Sequence, residues 1–431
     1  MIIRARSVVT MDGEPIENGA VAVSGNQIAD VGKFDEIRAR NAGEIVDLGE
    51  QALLPGFINA HCHLDYTCLR GKIPPLRAAA DSCSHGPVGR PNLPALGDKS
   101  TGRRPVATES FADWIRAINA EKAKFSPADY LASINDGFAE AKRFGTTTIA
   151  NLTAFAELIP QIREPIRTWW FAELIDVRAP ERSNEIVDLA IGSLKSAPNW
   201  GLAPHALFTA SKNLYSHCEE VARREDILLT THLAESLEEM EMFRDASGPL
   251  YEFLKSIARN MSDCGRQTPL ELFLGAPGGR ALPHWIVSHL NELTESDFDL
   301  LERSERRFHV VHSPRSHDYF NHSRFRFEKL RALGFNICLG TDSLASNDSL
   351  SLFDEMRAFR RSEPGISPDK ILKMVTVNPA RALRQENTLG RIRRGFRADL
   401  LAVRCNERDT PFEQILEFDG SVDWIMVNGK L

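Results

Sequence analysis

The chain has 431 residues, 42% of them hydrophobic and 26% charged, with a formal net charge of -7. That is ample material for a large core, and the only dense basic run, Arg391-Ile-Arg-Arg-Gly-Phe-Arg397, is too short and isolated to make nucleic-acid binding the main business. Seven scattered cysteines without a Cys-x-x-Cys argue against a disulfide framework, and no window reaches transmembrane length, so a cytoplasmic protein with reduced thiols and no membrane partner is expected.

Residues 1–54 read as short strands with turn punctuation. Val8-Val9 precede Asp12-Gly13, and Val21-Ala-Val23 precede Gly25-Asn26. Residues 387–431 have the same texture, in Ala398–Val403 and Trp424–Val427. Each fragment is too small to bury a core alone, so the two are expected to pair into one composite β-sandwich.

The middle, residues 55–386, opens on Pro55-Gly56 and alternates short apolar runs with amphipathic helical stretches, the pattern of βα units. The spacing predicts strands at Phe57–Ala60, Thr146–Asn151, Thr168–Ile175, Trp200–Pro204, Ile227–His232, Trp285–His289, Phe308–His312 and Asn336–Gly340. Helices fit between them, among them one from Asp129 that places Leu131, Ile134 and Phe138 on one face. Eight such strands suggest an α/β fold of the (β/α)8 TIM-barrel type. A doubly wound open sheet gives a similar local pattern, but no glycine-rich phosphate loop supports a nucleotide fold. Residues 77–109 break the rhythm with Pro, Gly, Ser and Arg and read as a lid or an unstructured loop, with Cys83 and His85 as loop residues.

His61 and His63, one residue apart on a strand, project from the same face, whereas Cys62 projects from the other. Such a pair is by itself more often incidental than a metal site. Strand five, however, ends in Thr230-Thr-His232-Leu-Ala-Glu235, strand six in His289, and strand eight in Leu339-Gly-Thr-Asp342. In a parallel barrel these C-terminal ends converge on one mouth. His61, His63, His232 and Asp342 then offer three imidazoles and a carboxylate, a shell for one zinc or ferrous ion that leaves a position for water.

The series PGFINAHCHLD, GLAPHALFTAS, THLAES, SHLNEL, HSPRS, LGTDSLASN and NPARAL…LGRIRRGFRADLLAV resembles the amidohydrolase superfamily, in its metal-dependent deaminase and chlorohydrolase branch, over nearly the whole chain. The resemblance implies a barrel plus a composite β-sandwich. It implies that His61, His63, His232 and Asp342 are metal ligands, that Glu235 shuttles protons, and that His289 helps hold the attacking water. Binuclear relatives carry a carboxylated lysine after strand four. This chain has Pro204-His205 and no lysine before Lys212, which favours a single divalent ion, zinc or else Fe(II).

The function so implied is hydrolytic deamination of an aminated heterocycle, a purine, nucleoside or related derivative. The alternatives are a dechlorinating or other C–N hydrolase acting on a triazine- or pterin-like ring, and a non-catalytic binding relative. Candidate substrate contacts are His205, Arg315, Trp169 and Phe208. Arg315 can equally pair with a substrate carboxylate or form a structural salt bridge, and the aromatic residues can stack on a ring or simply pack. The partner is a small molecule, with a homodimer or higher homo-oligomer left open.

Overall fold

The computed structural model describes residues 1–76, 108–275, 285–304 and 307–431. Both ends of the chain meet in one seven-stranded sheet built from β1 (Ile2–Val8), β2 (Ile16–Ser24), β3 (Gln27–Lys33), β4 (Ile45–Asp47), β5 (Gln51–Pro55), β15 (Leu400–Arg404) and β16 (Trp424–Met426). The junction is antiparallel, with Leu400 opposite Pro55 and Arg404 opposite Gln51. Ile3, Val21 and Leu53 from one end pack with Leu400 and Met426 from the other. Neither fragment could bury these side chains alone, and each is worth roughly 1.5–3 kcal/mol when fully buried.

Gly56 carries the chain out of this unit. A side chain there would collide with Thr147, so only glycine allows the close passage into the barrel.

The barrel strands are β6 (Phe57–His63), β7 (Thr146–Thr153), β8 (Arg167–Leu174), β9 (Trp200–Pro204), β10 (Leu228–Leu233), β11 (Trp285–His289), β12 (His309–His312) and an eighth strand in two pieces, β13 (Asn336–Leu339) and β14 (Asp342–Ser343). Each pairs in parallel with the next. β13 pairs with β12, whereas β14 pairs with β6, placing Asp342 opposite Cys62 and Ser343 opposite His63. The break at Gly340-Thr341 therefore closes the ring, and a Cβ on Gly340 would meet the His61 carbonyl oxygen at 2.7 Å.

Alternating positions fill the interior below the mouth with Ile58, Leu152, Phe171, Leu228, Ile286 and Val311, closed from beneath by Leu383 and Leu389. The opposite faces, including Cys62, Ile149, Trp170 and Val287, pack outward in the larger core. The helix Pro127–Arg143 buries Ile134 and Phe138 and starts with a capping box between Ser126 and Asp129. A helix at Phe111–Lys122, not anticipated from the sequence, is capped by Ser110. It is tied to the helix after β10 by Glu238, whose carboxylate accepts from the backbone of Phe111 and Ala112.

The segment expected to be a lid or loop falls largely on residues 77–107, with Cys83 and His85, and so lies outside the described residues. Among the described residues no helix is long and apolar enough to cross a membrane.

Candidate active site

The histidine pair owes its direction to an irregularity in β6. The register with β7 shifts between Asn59 and Cys62. The Asn59 side chain stabilises the shift: its Nδ2 donates to Thr341 Oγ1 at 2.8 Å, and its Oδ1 accepts from the backbone of His61 and of Thr341. His61 and His63 both face the mouth, with ring centroids 5.0 Å apart, while Cys62 is buried in the outer core.

Three other strand ends close on this pair. The His232 ring centroid lies 5.0 Å from that of His61 and 5.3 Å from that of His63, and His289 lies 5.7 Å from His61. Asp342 Oδ1 is 3.7 Å from His61 Nε2 and 3.8 Å from His63 Nε2. The backbone is strained here. Ala234, His289, Leu290 and Asp342 all take positive φ without being glycine, at a cost of about 1–3 kcal/mol each.

Hydrogen bonds hold that strain. Asn291 and Glu292 donate their backbone N–H groups to the Ala234 carbonyl, and Asn291 Nδ2 donates to the Glu235 carbonyl. The Glu239 carboxylate accepts from the backbone N–H groups of Ala234 and Glu235 at 3.1 and 2.8 Å. Burial pushes Glu239 up to about 7 despite those bonds.

The electrostatics favour neutral imidazoles. Burial first, then the neighbouring His61, holds His232 down to about 4, and burial with His61 and His232 holds His63 well below the ordinary histidine range. His232 Nδ1 donates to the His205 carbonyl at 2.9 Å, so a neutral His232 turns a bare Nε2 toward His63 Nε2, only 3.2 Å away. His61 Nε2 and His289 Nε2 are buried without hydrogen-bond partners. Unpaired donor atoms of this type, crowded around a carboxylate, fit a divalent metal ion. Burial alone would raise Asp342, but the facing imidazoles of His61 and His289 hold it well below the usual carboxylate range. Glu235 is driven the other way, well above that range, by burial and by the negative charges of Asp342 and Glu239. Its Oε1 lies 3.6 Å from His289 Nε2, so a carboxyl that favours its proton stands near one that favours ionisation at the mouth.

The substrate contacts expected from the sequence divide. His205, at the end of β9, faces the cluster with its ring centroid 4.7 Å from that of His232, and its Nδ1 meets Thr209 Oγ1 at 2.6 Å. Phe208 is buried with its ring perpendicular to that of His205, 5.9 Å between centroids, where it supports that imidazole. Trp169 does not reach the mouth. It packs in the barrel interior with Ile58 and Leu389, because it sits two alternations below the end of β8. Arg315 is not a free cation, since its guanidinium pairs with Asp348 and with Asp354 at 3.4 Å. The serine beside it matters more: Ser316 Oγ donates to Asp342 Oδ2 at 2.7 Å.

Three residues at the site escaped the sequence reading. Glu173 shares the inward parity of Trp169 and Phe171 on β8, and that alternation could have flagged it. Glu239 lies four residues after Glu235, in the first turn of the following helix. Ser316 carried no periodic signal, because its position depends on how the segment after β12 folds back over β14.

Residues 52–431 match the amidohydrolase family, and residues 19–43 match an imidazolonepropionase-like composite domain of bacteria. The chain is 28% identical over 410 residues to a 5-methylthioadenosine/S-adenosylhomocysteine deaminase of Syntrophobacter fumaroxidans, covering 91% of this chain and 81% of that enzyme. It shares its fold with the aminofutalosine deaminase of Helicobacter pylori crystallised with methylthio-coformycin, at a TM-score of 0.80 and 21% identity, over 100% of this chain and 99% of the other. It shares it also with a zinc-complexed atrazine chlorohydrolase of Arthrobacter aurescens, at 0.73 and 18%, over 100% and 94%.

Proposed function

The chain belongs to the amidohydrolase family, and on that premise we propose that it is a hydrolytic deaminase of an adenosine derivative or related aminated heterocycle, using one divalent ion, zinc in preference to Fe(II). The observation that carries this reading is the convergence of His61, His63, His232 and Asp342, with the protonated Glu235 and His289 beside them. The absence of a lysine at the end of β9, where His205 stands, supports a single ion. The relatives' names support the substrate class.

His61, His63, His232 and Asp342 would hold the ion. Water polarised by such an ion loses its proton near neutral pH, which is the chemistry the group supplies when bound. Asp342, ionised and held through Oδ2 by Ser316, accepts the proton of the attacking water. His289 orients that water against the amine-bearing ring carbon. Glu235 hands its proton to the adjacent ring nitrogen, Asp342 passes the water proton to the amine, which departs as ammonia, and Glu235 takes up the hydroxyl proton as the carbonyl forms. His205 contacts the substrate, held in place by Thr209 and Phe208.

Metal analysis of the purified protein followed by an ammonia-release screen against aminated purines, nucleosides and pterins tests the reading. About one equivalent of zinc or iron per chain is expected, together with ammonia from at least one substrate. A chain that binds neither ion and stays inactive after reconstitution would refute it, and chloride release from chlorotriazines without ammonia from any amine would move it to the dechlorinating alternative.

A further inference from the structure

Glu173 is the carboxylate at the mouth to which the mechanism gives no task. It stands at the penultimate position of β8 with its side chain 4% exposed, and its Oε1 lies 3.6 Å from His63 Nδ1 and 3.9 Å from His205 Nε2. His63 Nδ1 is one of the buried ring nitrogens with no hydrogen-bond partner. The other nitrogen of that ring, Nε2, faces His232 and Asp342. One imidazole cannot aim both nitrogens at the same ion, so Glu173 sits behind the ring, on the side away from the metal position.

Two further side chains fix this arrangement. The Tyr66 ring stacks on His63 at 5.8 Å and 15° between planes, and the Tyr66 hydroxyl favours the ionised form of the Glu173 carboxylate. Lys122 Nζ in turn donates to the Tyr66 hydroxyl at 2.7 Å. Lys122 forms no ion pair among the described residues, so its charge acts on the carboxylate through the tyrosine. The helix that ends at Lys122 thereby connects to a metal-facing histidine.

We infer that Glu173 is a positioning residue that takes the Nδ1–H of His63, fixes that tautomer, and so sets how tightly the cluster holds its ion. The gap of 3.6 Å needs to close by only about half an ångström to become a hydrogen bond. A carboxylate behind a ligating imidazole locks the ring and makes the ligating nitrogen more basic, and removing such a partner typically weakens metal binding about 10- to 100-fold. The inference rests on the proposed reading of His63 as a metal ligand.

The test is Co(II) binding to the apo-protein, measured by competition with a chromogenic chelator and by the visible absorption of the bound ion. Glu173→Ala is expected to bind Co(II) about 10- to 100-fold more weakly than the unaltered chain, with the band shape retained because the ligands are unchanged. Glu173→Gln, which keeps an acceptor oxygen without the charge, falls between the two and carries the same test should the alanine variant not fold. A Co(II) affinity within twofold of the unaltered chain in a folded variant would overturn the inference. An altered band shape would also overturn it, by making Glu173 a ligand. Failure of the unaltered chain to bind Co(II) or zinc at all would instead remove the reading of the cluster as a metal centre.

Discussion

Ser316 Oγ donates to Asp342 Oδ2 at 2.7 Å, so the carboxylate proposed to accept the water proton is held by a residue from the helix that follows β12. Its other oxygen, Oδ1, accepts from the backbone of Ser343 and faces His61 and His63. One carboxylate thus divides its two oxygens between an outer support and the metal position.

That division makes Ser316→Ala informative. A hydrogen bond to a charged group is worth about 1.5–3 kcal/mol, so kcat should fall roughly 10- to 100-fold. Metal content should stay at the level of the unaltered chain, because Oδ1 is untouched. Asp342→Asn, by contrast, should abolish turnover. Steady-state kinetics with metal analysis distinguishes the two, and an unimpaired Ser316→Ala would remove the serine from the mechanism.

Glu235→Gln keeps the size of the side chain but cannot release a proton. Turnover should drop by about 10²-fold or more while bound metal persists. Because burial, Asp342 and Glu239 hold Glu235 protonated well above the usual carboxylate range, the unaltered enzyme should lose activity on the alkaline side as this proton leaves. A pH–rate profile with no such limb, or one unchanged in the glutamine variant, would contradict the assignment.

Arg315 is half-buried in a pair of acidic partners and has no charge to spare for a substrate. Arg315→Ala should cost no more than about 1 kcal/mol in denaturant unfolding and leave KM within about twofold for any substrate identified. A KM rise of more than about tenfold, equivalent to roughly 1.4 kcal/mol of binding, would reinstate it as a substrate contact.

His317 gives a pH prediction for stability. Burial lowers it to about 4, and its Nδ1 lies 3.1 Å from Asn291 Oδ1. The unfolded chain, with a histidine pKa of roughly 6.5, binds the proton more readily, so this residue's contribution is present above that value and is lost as the pH falls toward 4. The Tm advantage of the unaltered chain over His317→Gln should therefore shrink between pH 7 and pH 5. A difference that does not change with pH would contradict the placement.

Much of this protein was legible in its sequence, for physical reasons. Period-two and period-3.6 patterns follow from backbone geometry, so β9 and β11 occur at the predicted residues and the other barrel strands within three residues at either end. The rule that parallel strand ends share a mouth brings His61, His63, His232, His289 and Asp342 together from sequence alone. The two terminal β fragments had to pair because neither could bury a core alone.

Only the tertiary structure decided what surrounds those residues. Whether Arg315 meets a ligand or Asp348 and Asp354 depends on how loops from two strands fold over each other, and local sequence carries no term for that. Trp169 and Glu173 share one face of one strand, yet depth along the barrel axis makes the first part of the packed interior and the second a neighbour of His63. Ser316 reaches Asp342, and Glu239 the Glu235 backbone, through contacts that require the closed ring. Residue type and period determined which groups gather at the mouth, whereas packing and burial determined their partners, their protonation and which of them remain free to act.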